Sequence, residues 1–96
     1  MSESGDNLIC MTGLVKGRVQ GVFFRAETRT RANSLGISGW VRNTDEGHVE
    51  VLICGDEASV LEMQKWLLLG PPRARVEALE LAPCPPVVMS GFEIRR

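Results

Sequence analysis

The 96-residue chain has no tyrosine, a single histidine, three cysteines and only three phenylalanines. No apolar run approaches the ~18 residues of a membrane span, so a membrane partner is not expected. Eleven basic residues stand against twelve acidic ones, a net charge of −1. A nucleic-acid surface ordinarily carries a basic excess, and a sheet that stacks RNA bases needs exposed aromatics; neither is here. Cys10, Cys54 and Cys84 are too few and too scattered for a disulfide framework and lack metal-site spacing. They read first as small, reduced hydrophobes. One histidine, no Walker pattern and no carboxylate cluster suited to magnesium leave no expected metal or cofactor. What composition permits is a small anionic substrate, because one local cationic cluster suffices to hold it.

A chain of this length makes one domain. Residues 1–7 are acidic and polar, unlike a secretory signal. They read as a flexible N-terminal tail before a domain over residues 8–96, and the expectation is a cytoplasmic monomer. Leu8 to Val15, ending at Gly17, reads as a first strand. Phe24, Thr28, Ala32 and Leu35 share one face of a helix that starts near Arg25 and stops at Gly36. Ile37 to Arg42 forms a second strand. Residues 43–47 have hairpin-turn chemistry, and Val49, Val51 and Ile53 alternate along a third strand that ends at Gly55. Asp56 suits the N-cap of a second helix, whose inner stripe is Val60, Met63 and Leu67 with Trp66 beside it. Gly70-Pro71-Pro72 ends that helix. Arg75 to Leu81 is a fourth strand, Pro83 to Pro86 a loop, and Phe92 to Arg95 a short last strand.

The order β-α-β-β-α-β predicts an α+β, ferredoxin-like sandwich. Its antiparallel sheet carries both helices on one face, with a short C-terminal strand added. In that topology the first strand lies between the third and fourth, and the second lies outside the third. The first and third are then antiparallel neighbours, which places Cys10 near Cys54; whether they bond stays open, since a cytosolic compartment disfavours it.

Chemistry concentrates in two runs. VKGRVQGVFFR (15–25) puts a glycine-punctuated turn between a strand and a helix, with Arg25 at the helix mouth. Free N–H groups, the helix dipole and a guanidinium together make an anion site. GWVRNTDEGHV (39–49) brings Asn43 to the end of the second strand. Because the first and second strands run parallel, both arrive at one edge of the sheet. Phe23 and Phe24 alternate across the turn, one packing inward and the other walling the site. His48 reads as a solvated hairpin residue, Trp40 and Trp66 as core or core-edge, and Arg95 and Arg96 as a solvated terminus.

From Val15 to Gly55 the chain resembles the acylphosphatase family, with both hallmark segments intact, and Phe92 to Arg95 is similar to the family's ending. The resemblance implies hydrolysis of the carboxyl–phosphate bond of acyl phosphates to a carboxylate and inorganic phosphate. It implies that Arg25 binds the phosphoryl group and that Asn43 positions the attacking water. The backbone of Gln20, Gly21, Val22, Phe23, Phe24 and Arg25 would cradle the phosphate oxygens. No metal is needed, since the leaving carboxylate is a stable anion. The alternative is a non-catalytic module on the same scaffold that binds phosphate or carbamoyl phosphate. A site that grips mainly the phosphoryl group would discriminate poorly among acyl chains.

Overall fold

The computed structural model describes residues 8–96, so the expected tail at residues 1–7 lies outside the described residues. Seven elements follow in order: β1 (Ile9–Arg18), α1 (Phe24–Leu35), β2 (Ser38–Asn43), β3 (Val49–Gly55), α2 (Glu57–Leu69), β4 (Arg75–Cys84) and β5 (Phe92–Arg95). The sheet order is β4-β1-β3-β2-β5. The first four strands form the expected antiparallel ladder. β5 adds itself to the outer side of β2 in parallel, which makes the five-stranded sheet mixed.

Alternation along the strands separates two faces. Val15, Val41, Val49, Val51 and Ile53 point to one side, where they meet Phe24, Ala32, Val60, Met63 and Leu67 of the two helices in the main core. The helical stripe read from sequence is buried as Phe24, Thr28 and Ala32, and the Thr28 hydroxyl donates to the Phe24 carbonyl at 2.7 Å. A helix interior tolerates a buried threonine when its hydroxyl finds such a partner. At the other end of α1, Gly36 takes a left-handed φ of 71° and the Ile37 N–H reaches back to the Ala32 carbonyl at 2.8 Å, closing the helix.

The opposite face is covered by chain rather than by helix. Cys10, Leu52 and Cys54 are buried there with Trp40, Cys84 and Met89 packed against them. Cys10 pairs in register with Cys54 on one side and Cys84 on the other. A disulfide joins Cys10 to Cys54, and Cys84 is free. Those two cysteines are therefore not the reduced pair that composition suggested; strand register brought them together. The segment after β4 crosses this face, where the Val87 N–H donates to Cys10 Sγ at 3.3 Å and the Gly91 carbonyl accepts from the Gly39 N–H at 3.1 Å.

β4 runs further than expected. Pro83 and Cys84, read as loop, continue the ladder opposite Met11 and Cys10. Proline is tolerated because β4 is the sheet's edge strand and needs no donor on its outer side.

Candidate active site

The C-terminal ends of β1 and β2 lie at one edge of the sheet, and two chemistry-bearing runs meet there. After β1 the chain takes a tight turn in which Gly21 has φ 75° and Phe23 has φ 60°. A Cβ at Gly21 would meet nothing within 4 Å, so that glycine is required by its backbone angle and not by crowding. Phe23 is the sole non-glycine residue at positive φ among the described residues. For an L side chain that conformation costs on the order of 1–3 kcal/mol, and here it starts α1.

The strain has a consequence for hydrogen bonding. Residues 19–23 donate no backbone N–H to a backbone carbonyl among the described residues. The first N–H groups of any helix also lack an intrahelical acceptor, and α1 has no side-chain cap. Positive φ at Gly21 and Phe23 is the kind of backbone from which anion nests are built. The positive end of the helix dipole adds to it.

Two side chains meet at this turn, Arg25 from the first turn of α1 and Asn43 from the end of β2. Arg25, Asn43, Gly21, Phe23, Phe24, Val19, Ala26 and Ile94 line one cleft of about 270 Å³. A wider opening beside it shares Arg25, Asn43 and Ile94 and adds Gln20, Thr44, Asp45 and Arg96. Arg25 Nη1 donates to the Arg95 carbonyl at 3.2 Å, so the last strand holds the guanidinium across 70 positions of sequence. Asn43 Oδ1 is buried and has no hydrogen-bond partner among the described residues. A buried acceptor without a partner costs about 1–3 kcal/mol.

The loop is fixed to the hairpin by Gln20. Its side-chain Nε2 donates to the Thr44 carbonyl at 2.9 Å and to the His48 carbonyl at 2.7 Å. The Thr44 N–H in turn donates to the His48 carbonyl at 2.9 Å, and Arg42 Nη2 meets Glu50 Oε1 at 2.6 Å across β2 and β3. Gln20, two residues past the end of β1, thus ties the turn to the hairpin that follows Asn43.

Six of the residues expected at the site, Gln20, Gly21, Phe23, Phe24, Arg25 and Asn43, line one or both openings. Val22 lines neither; its side chain packs against the main core and only its backbone belongs to the turn. The two phenylalanines divide as expected: Phe24 is 1% exposed and tilted against Trp66 with ring centroids 5.8 Å apart, while Phe23 is 76% exposed. His48 is half-buried, not solvated, and its Nδ1 is enclosed without a partner among the described residues. Arg95 is not idle either; its guanidinium lies 5.2 Å over the Trp40 ring. Sequence reasoning missed the side-chain role of Gln20 and the carbonyl of Arg95, for neither leaves a local signal.

Fold and cleft together define a class: a small ferredoxin-like domain whose first helix starts without a side-chain cap beside a cleft that Arg25 and Asn43 line. Comparison with known proteins narrows it. The family model described as Acylphosphatase matches residues 11–94. An acylphosphatase of Pseudomonas paraeruginosa is 50% identical over 88 residues, covering 92% of this chain and 97% of that protein. The solved acylphosphatase of Coxiella burnetii superposes with a TM-score of 0.93 at 37% identity, over 99% of this chain and all of that one. A second, from Bacillus subtilis, gives 0.86 at 30% identity over 93% of this chain and 99% of that one. The chain belongs to the acylphosphatase family. It is a hydrolase of acyl phosphates, and these relatives do not favour a binding-only module.

Proposed function

We propose that the two runs divide the chemistry as follows. The N–H groups of residues 20–25 and the guanidinium of Arg25 hold the phosphoryl oxygens. The Asn43 side-chain amide positions a water in line with the scissile bond. The water oxygen attacks phosphorus, the bond from phosphorus to the acyl oxygen breaks, and the carboxylate leaves with the electron pair. The proton of the water passes to an oxygen of the substrate's own phosphoryl group. Products are a carboxylate and inorganic phosphate.

The observation that carries this reading is the cleft lined by both Arg25 and Asn43 at the uncapped start of α1. Phosphoryl transfer rests on positioning and electrostatic stabilisation. A stable carboxylate needs no acid to leave, so a fork of N–H donors and one aligned water suffice, and we read the reaction as metal-independent. Asp45 is the carboxylate at the wider opening, and it is exposed at the rim. Asp45→Asn therefore leaves turnover and its pH profile within about twofold of wild type, an allowance small beside the 10²-fold or larger contribution of a general base.

The finer assignments rest on composition. A net charge of −1 supports a small-molecule partner over nucleic acid. No helix among the described residues is long and apolar enough to cross a membrane. We read the chain as a cytoplasmic monomer. Because disulfides are rare in reducing compartments, trapping free thiols in intact cells, with fractionation, tests that location against the Cys10–Cys54 bond.

The decisive experiment is hydrolysis of benzoyl phosphate in buffer containing EDTA, with wild type and Asn43→Ala side by side. The account expects turnover by wild type and a fall of about 10²-fold or more in kcat for the variant, the scale of lost alignment, with phosphate still bound. Loss of phosphate binding in Asn43→Ala would make Asn43 structural. Turnover that disappears with EDTA and returns with a divalent cation would end the metal-independent reading.

A further inference from the structure

The exposed ring of Phe23 has no role in the chemistry above. It is a large aromatic side chain, 76% exposed, at the mouth of the catalytic cleft. An apolar residue on the surface needs no explanation when it sits in an ordinary conformation. Phe23 does not: it holds φ 60° and ψ 23°, where a bulky residue is a rare outlier. Glycine or asparagine would take that angle with less strain. The turn already uses a glycine two residues earlier, at Gly21. At that angle the ring lies outside the core, which its neighbour Phe24 fills.

The cleft's remaining surface is consistent with one chemical use. Val19, Phe24, Ala26 and Ile94 line it with Phe23, so its walls are apolar outside the nest, Arg25 and Asn43. A phosphoryl group seated in the nest must send its acyl group outward. In-line attack by a water held at Asn43 places the acyl group opposite that water, within the cleft that Phe23 also lines. There the exposed apolar surface is the Phe23 ring.

We propose that Phe23 is a specificity-determining residue that packs against the acyl group, so that this chain favours acyl phosphates with aromatic or bulky apolar acyl groups over acetyl phosphate. This rests on the phosphoryl site described under Proposed function. It departs from the expectation that a site gripping the phosphoryl group is indifferent to the acyl chain. The contact is made in ground and transition states alike, so it lowers KM and leaves kcat largely alone.

The test is the ratio of kcat/KM for benzoyl phosphate to that for acetyl phosphate, measured in wild type, Phe23→Asn and Phe23→Gly. Both replacements fit a left-handed backbone. Any damage to the loop scales both substrates together, and the ratio cancels it. The expected result is a fall in the ratio of about three- to tenfold, the worth of one aromatic contact, carried by the KM for benzoyl phosphate. A ratio within twofold of wild type in both variants would overturn the proposal. A wild-type series of acetyl, butyryl and benzoyl phosphates keeps the proposal open to refutation even if both variants fail to fold: it predicts a KM that falls along the series, and a flat series overturns it. Failure of the underlying reading looks different, since wild type would then hydrolyse none of the three.

Discussion

The two helices begin in opposite ways. α2 starts at Asp56, whose backbone is extended and whose carboxylate accepts the Ser59 N–H at 2.8 Å. The Val60 N–H donates to the Asp56 carbonyl at 3.0 Å. α1 starts at Phe23, left-handed and without any side-chain cap, after a turn whose N–H groups meet no backbone acceptor. Both helices follow a strand, and both bury a comparable stripe in the same core. The difference is that one N-terminus is closed by the protein's own carboxylate and the other has no side-chain cap. A capped helix start contributes stability. The uncapped one, beside the Arg25 guanidinium, is where we propose that the phosphoryl group binds.

Breaking the open end should have the largest effect. Arg25→Lys keeps the charge but loses the fork that can bridge two phosphoryl oxygens. It should fail almost as badly as Arg25→Ala, each losing about 10³-fold in kcat/KM, the upper range for removing one oxyanion donor. Steady-state kinetics with benzoyl phosphate measures this, and substantial activity in Arg25→Lys would contradict a bidentate role.

Loosening the tie between the two ends of the site comes next. Gln20→Ala removes two hydrogen bonds to the hairpin. Stability should fall by about 1–3 kcal/mol, read by urea denaturation. Turnover should fall about tenfold through misplacement of Asn43, a modest share of the alignment effect. If kcat holds while stability drops, Gln20 is a structural staple and not a positioning residue.

The smallest effect belongs to the closed end. Asp56→Ala should lower the melting temperature slightly and leave kcat unchanged, because α2 takes no part in the cleft. The Ser59 N–H, and with it the Ser59 hydroxyl, holds the Asp56 carboxyl below its ordinary pKa of 3.8. A depressed folded-state pKa contributes stability that is present above the unfolded value and disappears as pH falls through the folded one. The difference in melting temperature between wild type and Asp56→Asn should therefore narrow as the solution is made more acidic than the unfolded pKa. A difference that stays constant from neutral pH through that window would mean the carboxylate is not the cap.

The same contrast explains what could be read from sequence. Asp56 and Gly36 are local signals, a capping oxygen and a left-handed stop, and they appear where expected. Arg25 and Asn43 were legible because the β-α-β order puts the ends of β1 and β2 at one edge. Contacts across long stretches of chain were not. The Arg95 carbonyl that holds Arg25 and the Gln20 side chain that clamps the hairpin depend on β5 joining β2 in parallel and on the exact height of the turn. Periodicity says which face a residue takes, and it says nothing about a partner 70 positions away. Pro83 misled for a local reason: proline ordinarily ends a strand, although the expected sheet order already put β4 at an edge, where its missing donor is tolerated.

The central claim is that the N–H groups of the α1 turn are an open anion site while those of α2 are closed. Titration of the ¹⁵N-labelled protein with inorganic phosphate, followed by amide chemical shifts, tests it most directly. The account predicts saturable shifts at Gly21, Val22, Phe23, Phe24 and Arg25 and none at Glu57, Ala58 and Ser59. Equal shifts at the two helix starts, or none at the first, would contradict it.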